Sequence, residues 1–185
     1  MKKLILLFVA IAFSLTQIFA QESTANKGDK ILNLGIGFGS GLYTGTYYKT
    51  SVPPISASFE AVIWDGIGGK GSIGLGGYVG YSSHKWEYSG WGWKYSNIYV
   101  GGRGAFHYPL VNKLDTYTGL TLGYNIATSS EYGNAVPGYD YNSSTGGLLY
   151  AWFVGARYYF SDSFGVMAEL GVGIVYLNLG VAFKF

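Results

Sequence analysis

Leu177-Asn178-Leu179-Gly180-Val181-Ala182-Phe183-Lys184-Phe185 alternates without exception. Leu177, Leu179, Val181, Phe183 and Phe185 fall on one face, and Asn178, Gly180, Ala182 and Lys184 on the other. Side chains of a strand point to opposite sides with period 2, so this is a strand with one apolar and one polar face. The apolar face ends on an aromatic at the last residue, with nothing beyond it to supply a packing partner. The expected solvent for that face is therefore a bilayer rather than a soluble core.

Seven more segments carry the same pattern upstream. They run Lys30–Gly39, Ile55–Trp64, Gly71–Ser82, Tyr95–His107, Leu114–Ile126, Gly147–Phe160 and Ser163–Ile174. On one parity they show Leu34, Ile36, Phe59, Leu75, Val79, Ile98, Val100, Leu120, Leu122, Trp152, Val154, Leu170 and Ile174, none of them charged. The opposite parity holds Asn33, Ser56, Ser58, Glu60, Ser72, Asn97, Arg103, Asp115, Arg157, Glu169 and many glycines. A one-residue slip would exchange the two faces. It would turn Arg103, Arg157 and Lys184 outward, at about 2–4 kcal/mol for each cation reaching mid-bilayer. The register is thus strongly specified, with the charged parity enclosed.

The expected fold is all-β: an eight-stranded antiparallel up-and-down transmembrane β-barrel over residues 30–185. Ser40–Pro54, Ser83–Lys94 and Ala127–Gly146 are expected as long loops at one end. Asp65–Lys70, Tyr108–Lys113 and Ser161–Asp162 are expected as short turns at the other, as in outer-membrane barrels. Pro53, Pro54, Pro109 and Pro137 are expected outside strand interiors, because proline cannot donate to a ladder.

The other end of the chain carries an address. Met1-Lys2-Lys3, an apolar run from Leu4 to Ile18, and Ala20 before Gln21-Glu22-Ser23 read as a secretory signal peptide over residues 1–20. Residues 21–29 would form a periplasmic stub. Removing Lys2 and Lys3 reduces the 12 basic residues to 10, against 10 acidic ones. A neutral mature chain lacks the basic excess of a nucleic-acid binder. With no Cys, neither a disulfide nor a lipid-anchored cysteine is available. Only 12% of residues are charged, against about 25% in soluble domains, yet no second long apolar run follows residue 20. That combination suits a barrel, in which only alternate residues meet lipid.

The closing strand resembles that of bacterial outer-membrane barrels, whose terminal Phe pattern is read by the barrel assembly machinery. Gly155-Ala156-Arg157-Tyr158-Tyr159-Phe160-Ser161-Asp162-Ser163-Phe164-Gly165-Val166-Met167-Ala168-Glu169-Leu170-Gly171 resembles the sixth and seventh strands of the small outer-membrane barrels common in Bacteroidetes. These are similar in architecture to OmpX, OmpW and the OmpA membrane domain. The resemblance is close over residues 147–185 and loose over the rest. It implies a monomer in the bacterial outer membrane, in contact with lipid and lipopolysaccharide, with no peptidoglycan-binding domain after Phe185. Members of that family have diverse roles, so the resemblance implies no particular activity.

Candidate functional residues fall into three sets. With a turn centred on Asp162, Arg157 opposes Met167 and lies diagonal to Glu169, so an interior polar network of Glu60, Arg103, Arg157 and Glu169 is expected. Phe106, Phe160, Phe164, Phe183 and Phe185 are expected as one interfacial aromatic girdle. Trp86, Trp91 and Trp93, with Tyr95 and Tyr99, mark the opposite edge. Trp86, Trp91 and Trp93, together with Tyr132, Tyr139 and Tyr141, are candidate surface-loop contacts for a carbohydrate or other surface ligand.

Catalytic signals are sparse. Ser82-Ser83-His84 with Glu87 would serve a lipopolysaccharide-modifying enzyme only if the groups converge in space. His107 reads as an interfacial or turn residue. Two distant histidines make no metal site, and no cofactor is expected. Gly35–Gly39 and Gly66–Gly71 lack the following helix that a nucleotide loop requires. The favoured reading is a non-enzymatic outer-membrane barrel with a role in envelope structure, surface interaction or limited small-solute passage. A lipid-modifying enzyme and a secreted lipocalin-like barrel are the alternatives. The lipocalin arrangement would place the apolar parity inside.

Overall fold

The computed structural model describes residues 24–40, 46–88, 91–133 and 142–185; the proposed signal peptide and Pro137, Tyr139 and Tyr141 lie outside the described residues. Eight strands follow one another: β1 (Lys30–Phe38), β2 (Tyr48–Ile67), β3 (Gly71–Tyr88), β4 (Trp91–Val111), β5 (Leu114–Gly133), β6 (Asn142–Tyr159), β7 (Phe164–Val172) and β8 (Leu177–Lys184). Each pairs antiparallel with the next, and β8 returns to β1 to close the ring. Closure sets Leu32 opposite Phe183, Leu34 opposite Val181, and Ile36 opposite Leu179. Within the ring no strand edge is left open to recruit other chains.

The two parities separate as the alternation requires. Arg157 and Asp115 are fully buried inside, while Leu148 is 79% and Leu122 61% exposed on the outside. Inward long side chains sit opposite inward glycines: Glu60, Gly76 and Arg103 share one cross-strand row. An eight-stranded interior is just wide enough for side chains to fill, so these glycines make the room.

Three expectations are corrected. First, Ser83–Lys94 is not a loop: β3 and β4 run on to Tyr88 and Trp91 in unbroken register, and β5 and β6 extend likewise. These stretches are rich in Ser, Gly and Tyr, and β4 reaches 21 residues against 8 for β8. The result is a five-stranded sheet, β2–β6, projecting beyond one end of the ring. We call this the hairpin end, and the other the turn end. Backbone pairing needs no apolar parity once a strand has left the apolar band, so the polar alternation concealed the strand.

Second, Pro53, Pro54 and Pro109 lie within β2 and β4, at register shifts between Val52 and Ile55 and between Pro109 and Val111. A bulge dispenses with the ladder donor that proline lacks. Third, β7 stops at Val172. Gly173 takes a φ of 107°, and Ile174 turns into the barrel instead of outward, where it is buried.

At the turn end, residues 24–29 fold back under the ring. Gly28 N donates to Val62 O at 2.9 Å, Lys184 Nζ donates to Thr24 O at 3.1 Å, and Ala25 packs with Ile31 and Val62.

Candidate functional site

The interior is built from the inward parity of every strand, in two layers. The ionic layer lies toward the turn end. Arg157 of β6 reaches across the lumen with all three guanidinium nitrogens engaged. Nε donates to Asn33 Oδ1 of β1 at 3.0 Å, Nη1 donates to Asp115 Oδ2 of β5 at 2.8 Å, and Nη2 pairs with Glu60 of β2. Arg103 of β4 pairs with Glu169 of β7, which also accepts the Tyr117 hydroxyl at 2.9 Å. The guanidinium of Arg103 lies 3.6 Å from the Phe153 ring centre, and that of Arg157 lies 4.0 Å from the Tyr117 ring centre. His107 Nδ1 is hydrogen-bonded to Asp115 at 3.0 Å, and its Nε2 lies 3.7 Å from Glu60.

The four residues singled out from sequence are therefore all enclosed, but their pairing differs from the expected diagonal. Arg157 takes Glu60 and Asp115, and Glu169 is taken by Arg103. A local diagonal between neighbouring strands was replaced by reach across a narrow lumen. Asp115, His107, Asn33 and Tyr117 join the network. His107 is fully buried and not interfacial. It shares the parity of Arg103 within β4, which was the available signal. Removing ions from water costs several kcal/mol each, so such a network holds only when each charge keeps its partners.

Above the ionic layer, Tyr78, Tyr99, Leu149, Ala151 and Ile174 form an apolar cluster across the lumen. Tyr99 belongs here, hydrogen-bonded to Ser82 at 2.9 Å, and not at an outer rim. Between the layers lies a cavity of about 30 Å³ lined by Arg103, Thr121, Glu169, Ile174 and Asn178. That is room for about two water molecules.

The hairpin end carries the aromatic residues. Trp86, Trp91 and Trp93 are strand residues, not loop residues, and they continue the inward parity of β3 and β4. They form a chain of ring contacts. Trp86 lies 5.8 Å from Trp91, which lies 6.1 Å from Trp93, while Tyr47 lies 6.3 Å from Trp86 and 5.9 Å from Tyr88. Trp91 donates its indole N–H to Glu131. This set therefore covers the inner face of the projecting sheet and is no membrane girdle. Tyr132 lies on the opposite face, where its hydroxyl donates to Glu87 at 3.1 Å.

A cluster of outward aromatics lies at the turn end. Phe160 contacts Tyr158 at 5.4 Å and Phe164 at 6.3 Å, and Phe164 contacts Phe183 at 5.4 Å. Phe106 and Phe185 are also outward. Leu177, Leu179, Val181 and Phe183 of β8 share that outer face, and Phe185 follows directly after the strand.

Ser82, Ser83, His84 and Glu87 do not converge. Ser83 and Glu87 share the parity opposite to Ser82 and His84 on β3. Their hydroxyl, imidazole and carboxylate thus never meet as a relay.

No family model matches the chain, and no curated protein matches it by sequence. Solved structures do match it in three dimensions. The N-terminal β-barrel domain of Pseudomonas aeruginosa OprF matches with a TM-score of 0.51 at 14% identity, over 86% of this chain and 98% of that one. Ail, the attachment invasion locus protein of Yersinia pestis, in complex with the heparin analogue sucrose octasulfate, matches with a TM-score of 0.52 at 13% identity, over 86% of this chain and 100% of that one. In fold, this chain is similar to the eight-stranded outer-membrane β-barrels.

Proposed function

We propose that the chain is an integral outer-membrane barrel, monomeric and non-enzymatic, with its interior sealed and its work done at the surface. One observation carries this reading: the sense of the barrel is inverted relative to a soluble protein. Ionised side chains are enclosed while Leu, Val, Phe and Trp cover the outside. A secreted lipocalin-like barrel would have the reverse arrangement. In this reading residues 1–20 direct export, the β8 pattern serves recognition by the assembly machinery, and the turn end faces the periplasm. Outer-membrane lipid and lipopolysaccharide surround the wall, as the Bacteroidetes-type resemblance of residues 147–185 also suggests.

The projecting sheet then stands outside the cell with Trp86, Trp91 and Trp93 on its inner face. It supports a role in surface interaction or envelope structure over one in solute passage. An ionic layer beneath an apolar constriction opposes conduction, because a narrow apolar passage sheds its water.

Two measurements test the reading. In planar bilayers the folded mature chain is expected to give no large, steady conductance; a sustained porin-like current would overturn the sealed interior. Leu122, outward at the middle of the apolar band, supplies the second. Leu122→Arg is expected to destabilise the barrel in vesicles by about 2–4 kcal/mol. Thr128→Arg, beyond the band, is expected to cost less than about 1 kcal/mol. Equal tolerance of both in urea unfolding would remove the membrane assignment.

A further inference from the structure

The register of the hairpin end aligns three cations. Lys49 of β2 is directly opposite Lys85 of β3, which is directly opposite Lys94 of β4. All three take the outward parity. Opposed residues have Cβ atoms about 4.5–5.5 Å apart, and like charges so placed destabilise a sheet. No carboxylate offsets this: among the described residues none lies within 4 Å of any of the three. Glu87, two residues along β3, accepts the Tyr132 hydroxyl instead, and Lys85 Nζ stands 5.1 Å from the Tyr132 ring centre. Lys49 and Lys94 are exposed and Lys85 half-buried.

The rest of the charge map sharpens the point. Lys27, Lys30, Lys70, Lys113 and Lys184 lie at the turn end, and Arg103 and Arg157 lie inside. After residue 20, every cation of the hairpin end sits in this one row.

Height selects the partner. The last outward row that is fully apolar or aromatic joins Ile55, Tyr81, Ile98 and Ile126. A row of Ser83, Ser96 and Thr128 follows, and then the lysines. Four residues along strands tilted by about 40° place the ammonium row about 10 Å above the apolar band. The polar layer of a bilayer is about 5–8 Å deep on each side, so the flexible lysine stems meet its outer part by leaning back toward the band. Three strands spaced about 4.8 Å apart spread the charges over about 10 Å, which suits a headgroup with more than one phosphate.

We propose that Lys49, Lys85 and Lys94 form a docking row for the phosphorylated headgroup of an outer-leaflet lipid. The inference rests on the membrane reading above and adds the chemistry and residues of one lipid contact.

The test uses the folded mature chain in neutral detergent, mixed with bisphosphorylated lipid A or its dephosphorylated counterpart and read by native mass spectrometry. The phosphorylated form is expected to be retained selectively. The triple variant Lys49→Gln, Lys85→Gln, Lys94→Gln is expected to weaken retention about a hundredfold, and the triple Lys→Arg variant to preserve it. If the triple Gln variant does not fold, Lys85→Gln alone is expected to lose about fivefold. Equal binding of the dephosphorylated lipid, or unchanged binding by the Gln variants, overturns the proposal. Inorganic phosphate binding as tightly as the lipid overturns the lipid assignment. A chain that stays a compact monomer without detergent overturns the membrane reading and this inference together. A barrel that needs detergent but ignores the phosphates overturns this inference alone.

Discussion

Arg157→Ala is expected to lower the unfolding free energy by about 3–5 kcal/mol, the cost of leaving buried charges without their partner. The substitution strands the carboxylates of Glu60 and Asp115, both fully buried, and removes the donor to Asn33. Arg157→Lys is expected to fall between the two, because one ammonium cannot span three partners on β1, β2 and β5 as a planar fork does. Urea unfolding in lipid vesicles, followed by tryptophan emission, measures the change. Its sign also discriminates between the two possible facings. Were Arg157 directed at lipid near mid-bilayer, removing it would stabilise the barrel by about 2–4 kcal/mol. A stabilised Arg157→Ala variant would therefore reverse the register on which the interior depends.

The second large effect is expected at Gly76, beside this network. A Cβ built there would overlap the carbonyl oxygen of Phe59 and lie 2.6 Å from Glu60 Cα. Both obstacles are backbone and cannot rotate aside, so β2 and β3 must part where Glu60 meets Arg157. Gly76→Ala is expected to cost about 3 kcal/mol by overpacking. The next residue supplies the control. Gly77 faces outward, and the nearest atom to its Cβ would be Gly101 O at 3.8 Å. Gly77→Ala is expected to change stability by less than about 0.5 kcal/mol. Equal tolerance of the two substitutions, measured in the same vesicles, would show that the strands do not approach there as described.

Two adjacent glycines with opposite expected fates mark the limit of what is legible along a chain. Their parity is readable, and from it their facing. The approach of the Phe59 carbonyl to Gly76 is not, because it depends on how sharply the closed sheet bends at that point. His107 illustrates the same division. Its position, four residues after Arg103 on one strand, carried the inward parity, yet at the strand end it reads as an interfacial or turn residue. Its bond to Asp115 required the pairing of β4 with β5, and its nearness to Glu60 required the ring to close.

The projecting sheet was hidden for another reason. Residues 83–88, 91–94 and 127–133 show no apolar outward parity, and composition there resembles that of loops. Only the register shows that Trp86 opposes Trp93 and that Lys85 stands between Lys49 and Lys94.

By itself, the sequence determined the number of strands, their order and which parity is enclosed. Period-2 alternation is a local property, and the cost of turning a charge outward fixes its sense. Tertiary structure alone decided which carboxylate each arginine holds, how far the hairpins extend, and that Ile174 turns inward. Those outcomes depend on distances across a closed ring, between residues as far apart in sequence as Asn33 and Arg157, and no local pattern encodes them.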